Sequence, residues 1–408
     1  MRCAMRAGYV AQLICFWTLL TGFPCTAWKL QVLAEGAISA SDRVVFLGAG
    51  WVEGLQSEDY WETFLQVRLD VSGVVFRNQG WTGDTVQGTA RALFGTPEDG
   101  FARLLRDVRE VRPTCLLLGY GNNEAFEGEM PIDEFRHHWE RLVNELEAGG
   151  ARLIAVLPHP IVKARPHHPD PASYNMRLES YRRCMQESCR EHNIAVIDLA
   201  DSPAWRYTTD GLRLTAAGQW LLARDLAEKL GYPEPPWSLM LDAQTQRFDT
   251  VNVTVIRSDR QDTGWRWVSV DRWLPTPYPP AEAGEFLPNY GHLVIKNLPR
   301  GKYQLLIDDL IVVTADAQEW QHGVRLPLRG GWRQVEQLRQ LIRRKNELYF
   351  HRYRPQNETY LFLFRKHEQG NNAVEIPQFD PLIADLEARI ESARKPQPHE
   401  YRLVLLPK

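Results

Sequence analysis

Cysteine is scarce. The 408 residues hold six, and three of them, Cys3, Cys15 and Cys25, lie near the N-terminus. The other three, Cys115, Cys184 and Cys189, are an odd number and do not make a disulfide framework. Cys115 falls in an apolar run, where cysteine behaves as a small hydrophobe. Cys184 and Cys189 are five apart in a helical pattern and so face different ways; no metal site and no cofactor are expected. A basic surplus is also missing. Lys and Arg number 48 against 51 Asp and Glu, for a net charge of −3. Nucleic-acid-binding domains usually carry a basic face, so no such partner is expected. What is present is a globular composition, 44% hydrophobic and 24% charged, with material for a core and a length that favours two or three domains. The 14 Trp and 14 Tyr suit core packing or a ligand surface, and composition leaves both open.

One long uncharged run stands at the start. Arg2 and Arg6 precede Ala7 to Trp28, which centres on Leu13-Ile14-Cys15-Phe16-Trp17-Thr18-Leu19-Leu20. Pro24 breaks it, and Cys25-Thr26-Ala27 offers small residues for cleavage. A charged start, an apolar middle and a small-residue end describe a secretory signal peptide over residues 1–27, hence an exported protein, periplasmic or extracellular. The alternative is an uncleaved N-terminal anchor, because the run approaches the roughly 20 residues that span a bilayer. No span is expected after leader cleavage.

Five short apolar runs follow, each succeeded by a helical pattern. They are Val44-Val45-Phe46-Leu47-Gly48, Gly73-Val74-Val75-Phe76, Thr114-Cys115-Leu116-Leu117-Leu118-Gly119, Leu153-Ile154-Ala155-Val156-Leu157 and Ile194-Ala195-Val196-Ile197. Alternating strands and helices predict a three-layer α/β/α sandwich on a parallel five-stranded sheet. In such sheets function sits past the carboxyl ends of the strands. There the sequence places Gly48-Ala49-Gly50, then Asn78-Gln79-Gly80 with Gly83-Asp84, then Gly121-Asn122-Asn123-Glu124, then Asp210-Gly211-Leu212-Arg213.

These four blocks, in this order over roughly residues 42–231, resemble the SGNH/GDSL hydrolase superfamily. That resemblance implies a flavodoxin-like sandwich and ester-hydrolase or carbohydrate-deacetylase ancestry. The family has Gly-Asp-Ser after the first strand and Asp-x-x-His before the last helix. Here the serine position is Gly50 and the histidine position is Arg213. Ser–His chemistry needs a hydroxyl and an imidazole that accepts its proton; glycine has no hydroxyl and arginine stays protonated. The resemblance implies that Gly50 N–H, Gly80 N–H and the Asn123 amide form an oxyanion site, with Asp210 kept beside Arg213. Ser57 and Thr85 are candidate displaced nucleophiles, though capping or turn roles suit them better. His159, His167 and His168 are candidate shifted bases. Glu53 and Glu124 read as exposed carboxylates by default.

After the linker Gly231-Tyr232-Pro233-Glu234-Pro235-Pro236, period-two patterns at Asn252–Ile256, Trp265–Val270, His292–Lys296 and Lys302–Asp308 predict short antiparallel strands. They make a small β-sandwich over 240–328. A helical, aromatic region, 329–408, is expected to pack on the first domain. It resembles the tail of exported bacterial SGNH-like proteins that lack the serine. Its Arg- and Tyr-rich stretch around Tyr349 to Tyr360 either lines a polar pocket or ties the tail to the first domain. Three functions stand open: an esterase-like hydrolase with an unusual nucleophile, a non-catalytic binder of a small anionic or carbohydrate ligand, and a structural module of the cell envelope.

Overall fold

The computed structural model describes residues 36–407 except 128–129, 163–169, 287 and 289. The expected leader and its three cysteines, and the loop residues His167 and His168, lie outside the described residues. Strands β1 (Arg43–Gly48), β2 (Val75–Gly80), β3 (Cys115–Gly119), β4 (Arg152–Val156) and β5 (Ala195–Ile197) form one parallel sheet in the order β2-β1-β3-β4-β5. The chain steps from β1 outward to β2 and then back past β1 to β3. The order therefore reverses between β1 and β3, and a crevice opens at their carboxyl ends.

Helices α1 (Gly50–Gly54), α2 (Tyr60–Gln66), α3 (Pro97–Val111), α4 (Asn122–Glu127), α5 (Ile132–Ala148), α6 (Pro171–Glu191) and α7 (Ala216–Lys229) cover the sheet. Successive residues of a strand face opposite ways, and β1 is apolar on both faces. Val44 and Phe46 pack with Trp61, Phe64 and Trp220 of α2 and α7. Val45 and Leu47 pack with Leu104, Trp139 and Met185 of α3, α5 and α6. Starts are locally encoded. Thr96 and Asp99 close a capping box on α3, with Pro97 next in line, and Thr215 caps α7. Cys115, Cys184 and Cys189 are free and buried.

The second half is a sandwich of two sheets. Its elements are β6 (Ser238–Asp242), β7 (Arg247–Val251), β8 (Val253–Gln261), β9 (Gly264–Asp271), β10 (His292–Lys296), β11 (Lys302–Ile307), β12 (Leu310–Asp316), α8 (Ala317–His322) and β13 (Val324–Arg325). Helices α9 (Trp332–Tyr353), α10 (Glu358–Leu361), α11 (Lys366–Gln369) and α12 (Phe379–Ala393) come next, then β14 (His399–Leu405). The sheets run β13-β10-β6-β7 and β12-β11-β14-β9-β8. One expectation is corrected here. Strand β10 pairs parallel with β6, so the strands are not all antiparallel. Strands β10 and β11, consecutive in the chain, lie in different sheets, because Leu293, Ile295, Tyr303, Leu305 and Ile307 all fill the one core between the sheets. The last strand, β14, lies between β11 and β9. The helical segment is thus an insertion within the sandwich.

That insertion docks on the first domain through buried polar groups. Lys345 Nζ reaches Glu62 Oε2 at 2.8 Å, both side chains 1% exposed. Asn346 donates to Asp59 and Glu62. Gln79 donates to Tyr349 Oη at 2.9 Å, Arg91 to Tyr353 Oη at 2.8 Å, and Arg103 to Glu358 at 2.7 Å. These hydrogen bonds connect the aromatic, Arg-rich stretch to the first domain.

Candidate active site

The crevice at the β1/β3 switch point is a cavity of about 790 Å³. Its walls carry residues that follow β1 (Gly50, Trp51, Glu53), β2 (Thr82, Gly83), β3 (Asn122, Asn123) and β4 (His159), and the loop before α7 (Asp210, Arg213). The close approach of α1 to the strand ends depends on glycine. A Cβ on Gly80 would come within 2.7 Å of Glu53 Cα, and one on Gly119 within 2.6 Å of the Trp51 ring. Larger residues there would push α1 off the sheet.

Gly50 is the first residue of α1, where the helix supplies no acceptor for an N–H. A Cβ on Gly50 would sit 3.3 Å from Thr82 Cα and 3.4 Å from Thr82 Oγ1. The hydroxyl beside the position expected for a nucleophile is therefore that of Thr82, a residue that sequence reasoning passed over as loop. The Thr82 N–H donates to the Glu53 carboxylate, and Glu53 also accepts from Arg354 at 3.2 Å. Arg354 in turn lies 3.8 Å from the Trp81 ring. Glu53 is thus held in a network and is not a free surface carboxylate.

Asn123 lines the cavity and donates from Nδ2 to Asp84 O at 2.6 Å, which orients the amide and leaves its second hydrogen for other use. Gly80 does not reach the described cavity wall, and its N–H donates to Asn78 Oδ1 at 2.8 Å. Thr82 and Gly83 stand on the wall after β2 instead. Asp210 Oδ1 accepts from the N–H of Leu212 at 3.0 Å and of Arg213 at 2.7 Å. Its Oδ2 lies 3.6 Å from Arg213 Nε, and the Arg213 side chain is 81% exposed. An ion pair this exposed is worth only about 0–1 kcal/mol, so Asp210 shapes the loop more than it restrains the guanidinium.

The remaining candidates separate by environment. Ser57 lies on the wall, where its Oγ accepts from Gln219 Nε2 at 2.7 Å; an amide donor cannot take the proton of a nucleophile. Thr85 is buried off the wall and bonds Thr89 at 3.0 Å, a turn role. His159 does reach the cavity, 3% exposed, stacked on Trp205 at 3.6 Å. Burial holds its imidazole down to about 3. It stays neutral and is a feeble base at neutral pH, so it serves as a wall. Glu124, expected on the surface, is 1% exposed. Its two carboxyl oxygens accept from Val86 N–H and Gly121 N–H, bracing the loops after β2 and β3. Burial pushes its carboxyl up to about 7.

Sequence reasoning missed the aromatic side of the cavity: Trp51, Phe126 and Tyr174 with His159. Five of the tryptophans, Trp61, Trp139, Trp220, Trp267 and Trp320, are fully buried core, and only folding distinguishes Trp51 from them. Among the described residues no group of His, Cys, Asp or Glu is arranged to hold a metal ion, and no helix is long and apolar enough to cross a membrane.

Residues 46–221 match the model of the GDSL-like Lipase/Acylhydrolase family. No curated protein matches the chain significantly. Among solved structures, a gut microbial diltiazem-metabolizing enzyme superposes with a TM-score of 0.71 at 14% identity, over 90% of this chain and 98% of that one. At that identity the likeness concerns the fold, and it extends through the C-terminal sandwich. A lipase/acylhydrolase from Enterococcus faecalis covers 47% of this chain and 95% of its own at 22% identity, with a TM-score of 0.36. A catalytic mutant of an acetylxylan esterase from Geobacillus stearothermophilus covers 48% and 97% at 19% identity, with a TM-score of 0.39. Residues 46–221 thus carry the sequence pattern of GDSL-like lipases/acylhydrolases, on an α/β/α fold of the SGNH/GDSL kind.

Proposed function

We propose that this SGNH/GDSL domain no longer hydrolyses esters in the usual way and instead holds a small anionic ligand, such as the carboxylate of an acidic sugar. The observation that carries this reading is the pairing of Gly50 with Arg213 on the walls of a cavity that is otherwise well formed. Without a hydroxyl at Gly50 and an imidazole at residue 213, acyl transfer has neither nucleophile nor base. The Asn123 amide, fixed through Asp84, and the exposed Arg213 guanidinium are donors on one cavity. A guanidinium accepts two carboxylate oxygens side by side, and a standing carboxylate suits a permanent cation better than a transient oxyanion does.

Calorimetry with acetate, sulfate and glucuronic acid tests this, alongside p-nitrophenyl acetate turnover. The expected result is carboxylate binding that Arg213→Ala weakens, with turnover no higher than a heat-inactivated control. Binding indifferent to Arg213→Ala would end the proposal. One observation favours a second reading, an active hydrolase with a displaced nucleophile: Thr82 Oγ1 lies where a side chain on Gly50 would reach. Turnover that Thr82→Val abolishes would establish that reading instead. Export, argued from the leader, is part of the proposal too; N-terminal sequencing of the mature protein would show cleavage after Ala27.

A further inference from the structure

A second cavity, about 630 Å³, opens beside the first and shares two of its wall residues, Glu53 and Ser57. Its other walls are Gln56 and, on α9, Arg343, Arg344, Glu347 and Phe350. The inserted helix of the β-sandwich therefore borders the cleft of the first domain. It is held in place there: Arg343 Nη2 donates to Ser57 O at 3.1 Å, and Lys345 and Asn346, one turn along, are locked to Glu62 and Asp59.

The chemistry of this wall differs from that of the first cavity. Its charges balance, with two arginines against Glu53 and Glu347, so it does not select an anion. Arg344 and Glu347 pair at 2.6 Å with more than half of each side chain exposed, and both remain reachable by a ligand. Gln56 Nε2 is buried without a hydrogen-bond partner among the described residues, and a lone buried donor is costly unless something completes it. Phe350, half-buried, adds one aromatic surface. Donors, acceptors and a ring face suit a neutral, hydroxyl-rich ring, whose hydroxyls bond in the plane while its C–H face lies on the aromatic.

We infer that the cleft is a two-part site, in which α9 forms a second subsite for the neighbouring neutral sugar of an acidic oligosaccharide. This rests on the carboxylate-binding reading of the first cavity and deepens it. Arg213 takes the carboxylate of one unit; the α9 wall takes the next unit along the chain.

Calorimetry with glucuronic acid, aldotriouronic acid (glucuronic acid carried on xylobiose) and xylotriose, on the full chain, separates the parts. Aldotriouronic acid is expected to bind about tenfold more tightly than glucuronic acid. Phe350→Ala and Arg344→Ala each remove most of that gain and leave glucuronic acid binding as it was. Arg344 is exposed, so its variant reports even if Phe350→Ala disturbs folding. Equal affinity for the two acids in the native protein, or a gain that survives both substitutions, overturns the second subsite while Arg213-dependent binding of glucuronic acid leaves the first reading standing. Failure of both acids to bind removes both.

Discussion

If Gly50 and Arg213 alone silence the site, Gly50→Ser with Arg213→His should restore ester hydrolysis, and the geometry bounds how far. A Cβ at residue 50 would lie 3.3 Å from Thr82 Cα and 3.4 Å from Thr82 Oγ1, a contact that a few tenths of an ångström of loop movement relieves. No left-handed backbone stands in the way there. The histidine would start from a more exposed place, since the side chain now at residue 213 is 81% exposed. Asp210 Oδ2 faces that residue, while Oδ1 is already committed to two backbone N–H groups. A complete triad supplies about 10⁶ in kcat, and a misplacement of about 1 Å removes about 10². Two imperfectly seated groups therefore leave on the order of 10² over the native protein. The assay is p-nitrophenyl acetate hydrolysis by the native protein, both single variants and the double variant. Each single variant should stay within a few-fold of the native level, because triad members act as a unit. A single variant as active as the double, or a double variant that folds like the native protein and shows no turnover, would refute the assignment of these two positions.

Three further outcomes follow from buried groups. Lys345→Met leaves Glu62 without its cation and Asp59, whose carboxyl is pushed up by burial and by Glu62, beside it; urea unfolding should show a loss of about 3–5 kcal/mol, largely recovered by adding Glu62→Met. A loss under about 1 kcal/mol would show that the tail is not anchored there. Glu124 has its carboxyl raised to about 7 from 4.5 by burial, so the folded chain binds the proton more tightly than the unfolded chain. Its contribution is fully present below about pH 4.5 and is lost as pH rises to about 7, up to about 3 kcal/mol; Glu124→Gln should flatten that slope in melts across the range, and an unchanged slope would count against the burial argument. Cys115 and Cys189, their thiols pushed up to about 11 and 12 by burial, should resist iodoacetamide until the protein is unfolded.

Much of the first domain was legible because its signals are local. An apolar run buried on both faces, a glycine that ends it and a capped helix after it can each be read within about ten residues. The order of the four strand-end blocks pointed to the same crevice that the sheet order creates. The β-sandwich was less legible. Period-two alternation announces that a strand has one buried face, but not which strand lies beside it. Strands β10 and β11 carry the expected pattern, yet the core they share lies between two sheets. The place of β14 depends on partners about 100 and 130 residues away in sequence.

By itself the sequence determined the α/β/α layering, and the identity of the residues at strand ends: a glycine at residue 50, an asparagine at 123, an arginine at 213. Side-chain chemistry is written residue by residue, and no folding can give Gly50 a hydroxyl. Only the tertiary structure decided environment. It made His159 a neutral wall by burying it against Trp205, turned Glu124 from an expected surface carboxylate into a buried brace, and set Thr82 beside Gly50. It also brought α9 from the second half of the chain to the edge of the first domain's cleft. Burial, hydrogen-bond partner and proximity are properties of pairs distant in sequence, and they come into being only when the chain packs.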